Sequence, residues 1–315
     1  MFGRKAPEKP RTLGGVIAAA ITPRRAGSCE IDLGAALDLI DWLGARGVDG
    51  IALMGSTGEF VHFSVEERTR LVHLGVKRSR LPVLVNVSHT TLDDAVRLGR
   101  DAADAGAMGL LLMPPYYFHY GQGQIARFFT EYANGLRRSV PLFLYNIPLF
   151  APPIELETAR KLLDTGQYAG IKDSSGDWPY LESLCRYKRE REFTLLVGND
   201  ALFLPARRAG ADGVVSGISS GLPELLIAVN RAALAGDAVT GEHLQERMRE
   251  LIAWLNRFPV PAGVKQVTGW RGQTVGPPAM PFDAEMLASA QEFQAWFAAW
   301  LPVVLKECGH ASVAS

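Results

Sequence analysis

One feature narrows the possible folds of this chain more than any other. A short apolar run, a polar loop and an amphipathic stretch follow one another eight times between residues 15 and 222. The runs are GVIAAAIT (15–22), GIALMG (50–55), PVLVNV (82–87), MGLLLM (108–113), PLFLYN (141–146), YAGIKD (168–173), FTLLVG (193–198) and DGVVSG (212–217). Each is bounded by Gly, Pro or Asp, the signature of strands buried on both faces. Helical spacing fills the intervals: Leu33, Leu37, Ile40 and Leu43 fall on one face, and Ser64 with Glu67 forms a capping box before Leu71 and Val72. ARGVDG, DAGAMG and RAGADG each end a helix on glycine before the next strand.

Eight strands alternating with helices at about 30 residues per unit specify an α/β chain, a closed (β/α)8 TIM barrel over 13–222. An open doubly wound sheet is the other arrangement, but it carries a glycine-rich phosphate loop after its first strand, and here that strand ends in Ile21-Thr22-Pro23-Arg24. Past residue 222 the strand pattern stops. Three helical stretches, with a Pro/Gly-rich link before the last, predict a helical extension over 223–305 packed on the barrel. Residues 1–12 and 306–315 read as disordered tails.

Composition excludes several functions. Lys plus Arg and Asp plus Glu are equal at 33 each, so the basic excess of a nucleic-acid or membrane-surface binder is missing. Three scattered cysteines build neither a disulfide framework nor a zinc site, and the six histidines show no metal-ligand spacing. No apolar run approaches the ~20 residues that span a bilayer, and the N-terminus lacks the apolar core of a secretory signal. The expected location is cytoplasmic.

In such barrels chemistry sits at the carboxyl ends of the strands. Lys172 ends an apolar strand there. A lysine held in the barrel mouth loses solvation and becomes a nucleophile for carbonyl carbon, whereas one paired with Asp173 and reaching solvent would be inert. Tyr145 ends the preceding strand, where its phenol can shuttle protons for a Schiff-base reaction or merely fill the core. Gly55, Ser56 and Thr57 form a turn whose hydroxyls and N–H groups suit a small carboxylate, or a plain turn. GISSG (217–221) matches a nucleophile elbow and would make Ser219, Asp237 and His243 a hydrolase triad, but only helices follow it.

Together GSTGE (55–59), PPYY (114–117), YNIP (145–148), GIKDSSGD (170–177) and GADGVVSG (210–217) resemble the dihydrodipicolinate synthase/N-acetylneuraminate lyase family, pyruvate-dependent class I aldolases. The resemblance runs from about residue 13 to 302. It implies that Lys172 forms an imine with a 2-keto acid and that Tyr145, Ser56 and Tyr117 move protons. Ser56 and Thr57 would hold the carboxylate, and no metal or other cofactor would be needed. It also implies a homo-oligomer, dimer or tetramer, in which Tyr117 reaches the neighbouring subunit's site. Gly55, Ser174, Gly198, Asn199, Val215 and His89 are the further substrate-side positions, with His119 beside them. The expected partners are a small 2-keto acid and an aldehyde.

Two departures bear on substrate. Phe150 stands where synthases acting on aspartate semialdehyde carry an arginine, and an apolar side chain makes no bidentate carboxylate bond. Gly198-Asn199-Asp200-Ala201 lacks the second acidic residue typical of sialic acid lyases. The nearest likeness is to 2-keto-3-deoxy sugar acid aldolases. Synthase-type condensation, N-acetylneuraminate cleavage and 2-keto acid dehydration share the same imine, and a catalytically silent sensor barrel is the non-enzyme alternative.

Overall fold

A computed structural model describes residues 13–309. The expectations for the two tails therefore fall largely outside the described residues. Residues 306–309, expected in the disordered tail, are described as the end of the last helix and its cap.

Eight parallel strands close on themselves in chain order: β1 (Gly15–Ala19), β2 (Gly50–Leu53), β3 (Val83–Asn86), β4 (Gly109–Leu112), β5 (Leu142–Asn146), β6 (Gly170–Asp173), β7 (Thr194–Val197) and β8 (Gly213–Ser216). All eight apolar runs are strands, and the fold is the expected TIM barrel. Closure comes from β8 pairing with β1, Val215 opposite Ile17. At the amino-terminal end the strands approach closely. A Cβ on Gly170 would lie 2.1 Å from the Thr194 carbonyl oxygen, so the first residue of β6 must lack a side chain.

Helices α1 (Leu33–Ala45), α2 (Val65–Arg78), α3 (Leu92–Ala105), α4 (Gln122–Leu136), α5 (Leu156–Asp164), α6 (Trp178–Tyr187) and α7 (Phe203–Ala209) occupy the intervals between strands. The Ser64–Glu67 capping box is formed, and Gly106 and Gly210 end α3 and α7 in the left-handed conformation. Helix α8 (Pro223–Ala235) packs on β1 and α7, completing the outer ring. It begins the segment read from sequence as the extension, so the appendix beyond the ring is α9 (Ala238–Leu255), α10 (Ala262–Trp270) and α11 (Ala284–Glu307). An aromatic cluster holds this appendix together: Phe293 stacks on Trp254 at 5.4 Å and meets Trp270 edge-on at 4.8 Å. Buried Glu224, at the start of α8, accepts hydrogen bonds from both Arg46 and Arg271 and so ties barrel to appendix.

Candidate active site

Parallel register places Tyr145 of β5 directly opposite Lys172 of β6. Both side chains are buried, and the Lys172 Nζ lies 4.1 Å from the centroid of the Tyr145 ring. The Tyr145 hydroxyl is 3.2 Å from Ser56 Oγ, at the turn after β2. One amine and one phenol from the ends of β6 and β5, and one aliphatic hydroxyl from the turn after β2, thus lie together in the barrel mouth. The amine sits over the face of the phenol ring, and the phenol hydroxyl reaches Ser56.

Hydrogen bonds between strand ends fix this set. Asn146 Nδ2 donates to Asp173 Oδ1 at 2.8 Å, Ser175 Oγ donates to Asp173 Oδ2 at 2.8 Å, and the Ile154 N–H donates to Asn146 Oδ1 at 3.0 Å. Asp173 therefore faces Asn146 and Ser175 rather than neutralising Lys172. Its burial pushes the carboxyl up to about 6, against the pull of those two donors. Gly198, the residue after β7, lies against the lysine: a Cβ there would lie 1.8 Å from Ser174 Oγ and 2.9 Å from Lys172 Cε. Asp200 follows, and burial raises its carboxyl to about 6 while the charge of Lys172 works in the opposite direction.

The turn after β2 is held from both sides. Asn86 Nδ2 donates to the Met54 carbonyl at 2.7 Å, Ser88 Oγ donates to Asn86 Oδ1 at 2.6 Å, and the Met113 N–H donates to Ser88 Oγ at 2.9 Å. Beneath this chain the buried Arg68 guanidinium donates to the carbonyls of Asn86 and Ser88 at 3.2 and 3.1 Å. Desolvation brings its pKa down to about 10. Thr22 Oγ1 donates to the Gly58 carbonyl at 2.7 Å, and the Thr57 side chain lies against Gly217 of the turn after β8.

Other positions expected at the site are distributed unevenly. Ser174 presents a buried hydroxyl with no hydrogen-bond partner. Asn199 accepts from the Ala201 N–H at 3.0 Å, and Val215 is buried in β8. His89 is engaged locally: its Nδ1 accepts from the Thr91 N–H at 3.1 Å and contacts Thr91 Oγ1 at 2.9 Å, beside the start of α3. His119 is exposed. Tyr117 is 86% exposed, has a left-handed backbone (φ 84°) and makes no hydrogen bond to Tyr145 within the chain. The hydrolase triad does not assemble. Ser219 Oγ donates to the Ser216 carbonyl at 2.8 Å, Asp237 caps α9, and His243 pairs with Glu307.

A cavity of about 860 Å³ opens beside Ser56 and runs outward past Met113, Tyr116, Tyr117 and Phe150 to the appendix, with Lys265 on its wall. Lys172 and Tyr145 do not line it; Ser56 is the point of contact between cavity and reacting groups. Sequence reasoning missed the buried partners Asn86, Arg68, Asn146 and Lys265. Arg68 and Lys265 read as solvated helix charges, and Asn86 and Asn146 as polar ends of buried strands, until the fold brings their partners near.

The fold and the site together are a closed TIM barrel with a buried lysine lying against a phenol at its strand ends. Comparison with known proteins supplies the class. The family model described as "Dihydrodipicolinate synthetase family" matches residues 12–295. A 4-hydroxy-tetrahydrodipicolinate synthase of Methanoculleus marisnigri is 31% identical over 85% of this chain and 93% of its own. One from Kineococcus radiotolerans is 34% identical over 89% and 91%. The structure of the 4-hydroxy-tetrahydrodipicolinate synthase of Methylacidiphilum fumariolicum superposes with a TM-score of 0.83 at 28% identity, covering 94% of this chain and 99% of that one. The chain belongs to the dihydrodipicolinate synthetase family, and it is a pyruvate-dependent carbon–carbon lyase.

Proposed function

We propose that this lyase cleaves a 2-keto-3-deoxy sugar acid type of substrate into pyruvate and an aldehyde, with Lys172 as the imine-forming residue. The observation that carries the reading is the Lys172–Tyr145–Ser56 set, with the amine 4.1 Å from the phenol ring and the phenol 3.2 Å from the serine. The Lys172 amine attacks the C2 carbonyl, and loss of water leaves the iminium. Tyr145 and Ser56 carry protons in these steps, and Ser56 and Thr57 hold the carboxylate. Tyr145 then takes the proton from the C4 hydroxyl and the C3–C4 bond breaks. Its electron pair moves to the iminium, giving the enamine and releasing the aldehyde. Protonation at C3 and hydrolysis release pyruvate and free Lys172. The imine is the electron sink, so the reading calls on no cofactor.

The sugar-acid assignment rests on the outer cavity. Phe150, Met113 and Tyr116 present apolar wall where a carboxylate-tailed aldehyde would need a cation, and the ammonium of Lys265 is occupied by Glu59. Ser174 and Asn199 are the hydroxyl readers this reading favours. The relatives named 4-hydroxy-tetrahydrodipicolinate synthase favour a second reading, condensation of pyruvate with an aldehyde to give a dihydrodipicolinate precursor.

The expected homo-oligomer belongs to the same proposal. Tyr117, Phe118, Leu149 and Met280 expose apolar side chains around the cavity mouth, a patch suited to a second subunit. No helix among the described residues is long and apolar enough to cross a membrane. The cytoplasmic location expected from the sequence is likewise proposed, and the free state of all three cysteines fits it.

Borohydride trapping with pyruvate tests the mechanism. The expected result is one adduct per chain at Lys172, abolished in Lys172→Ala together with turnover. Near-normal cleavage by a folded Lys172→Ala variant would refute it. A panel of 2-keto-3-deoxy acids and aspartate semialdehyde then separates the two substrate readings.

A further inference from the structure

The barrel mouth holds a buried ionic cluster that the imine chemistry does not use. Arg24, Glu59 and Lys265 are exposed by only 3%, 7% and 4%. Arg24 Nη2 lies 3.7 Å from Glu59 Oε1, and the Lys265 ammonium contacts Glu59 Oε2 directly. The three side chains come from the loop after β1, the turn after β2 and helix α10 of the appendix. Burying two cations with one carboxylate is a poor device for stability alone, since desolvation offsets much of the attraction. The cluster needs another reason to exist.

Glu59 closes the turn that carries Ser56 and Thr57. Its N–H donates to the Ser56 carbonyl at 3.0 Å, and its backbone is left-handed, φ 53°. Met54, at the other end of the turn, is left-handed as well, φ 57°. Non-glycine residues keep that conformation only where their surroundings enforce it. Asn86 holds the Met54 end through its carbonyl. At the other end, among the described residues, the charged groups on the Glu59 carboxylate are the two cations. Arg24 is itself fixed: it donates to the Cys29 carbonyl at 3.2 Å, meets His62 Nδ1 at 3.1 Å and lies 4.5 Å over the Phe63 ring. Lys265 has Glu59 as its one ion partner among the described residues.

We propose that Lys265 is a positioning residue of the active site: by clamping Glu59 from the appendix, it holds the turn that presents Ser56 and Thr57 to the 2-keto acid carboxylate. The inference rests on the imine reading above. It gives the appendix a role in substrate binding as well as in packing. A tie that only fastened α10 to the barrel would change the fraction of folded protein and the melting temperature, but not the affinity of the folded sites.

The test is borohydride trapping at Lys172 across a series of pyruvate concentrations, with melting temperature measured in parallel. In Lys265→Met the half-saturating pyruvate concentration is expected to rise about 10- to 100-fold, the scale for a small misplacement of a positioning group, while trapping at saturation still reaches one adduct per folded chain. Lys265→Arg keeps the charge, but its larger guanidinium must fit a site only 4% exposed, so its half-saturation should fall between those of the parent and Lys265→Met. Lys265→Gln, whose amide still donates to Glu59, should fall between and carries the test if the Met variant does not fold. Saturable trapping in the parent with an unchanged half-saturation in folded Lys265→Met or Lys265→Gln overturns the positioning role alone. Absence of any Lys172 adduct in the parent overturns the imine reading, and this inference with it.

Discussion

Tyr145 and Lys172 are register partners on the adjacent parallel strands β5 and β6, and the lysine amine lies 4.1 Å from the phenol ring centroid. Register partners point to the same face of a sheet. A slip of one residue would turn one of the two out of the barrel. The contact is thus set by strand pairing, and the strand pairing is locked one residue further on, where Asn146 donates to Asp173.

From that contact follows a graded loss of activity. Tyr145→Phe removes the proton carrier and should lower kcat by about 10²- to 10⁴-fold. Ser56→Ala removes a neutral hydrogen bond to the phenol, which should lower kcat by about 3- to 10-fold, and it also removes a carboxylate contact, so KM should rise as well. Steady-state kinetics on any cleaved 2-keto acid decides the matter. A Tyr145→Phe enzyme within a few-fold of the parent would take the phenol out of the mechanism.

Gly198→Ala should inactivate without unfolding. The added methyl would lie 1.8 Å from Ser174 Oγ and 2.9 Å from Lys172 Cε, so Ser174 and the lysine must both move. Ser174→Gly in the same chain removes the closer clash and leaves only the flexible lysine to adjust. The double variant should regain part of the borohydride-trapped adduct that Gly198→Ala loses. Equal trapping by Gly198→Ala and the parent would show that the lysine has room to spare.

Much of this site was readable in the sequence because it sits at strand ends, and the strands announce themselves as apolar runs. Lys172, Tyr145 and Ser56 are each a polar residue closing or just following such a run. What was hidden depends on contacts between distant segments. Lys265 and Glu59 are 206 positions apart, and each alone reads as a solvated charge. Helix α10 lies inside the Pro/Gly-rich link, where Gly263 and Gly269 weaken its local signal and packing supplies its stability. His89 follows a strand, where a substrate reader would sit, and its Nδ1 contacts the Thr91 amide and hydroxyl beside α3, a local contact that spacing does not reveal.

Stability should respond to pH through Asp173. Burial raises its carboxyl from the ordinary 3.8 to about 6 in the folded chain. Between those values the folded state holds a proton that the unfolded state has released, so stability falls as pH rises through the window. The full cost, about 3 kcal/mol, is present above pH 6. Asp173→Asn keeps an oxygen for Asn146 and removes the titration. Asp200 remains in both proteins and cancels. Urea midpoints measured from about pH 4 to 7 should show the parent losing about 3 kcal/mol relative to the variant. Parallel curves would mean that the Asp173 carboxyl titrates normally.

Phe150 offers the sharpest check on substrate class. It lines the outer cavity with Met113 and Tyr116 and is 43% exposed, so a longer side chain fits there without disturbing the barrel core. Phe150→Arg places a guanidinium where a carboxylate-tailed aldehyde would arrive, and a bidentate pair there is a strong, directional contact. Acceptance of aspartate semialdehyde, measured as kcat/KM, should therefore rise by about 10-fold or more, the worth of a charged hydrogen bond of about 1.5–3 kcal/mol. Cleavage of a neutral-tailed 2-keto-3-deoxy acid should change little, because Phe150 is not called on to bind its hydroxyls. Strong loss of that cleavage with no gain for the carboxylated aldehyde would show that Phe150 itself contacts the sugar chain.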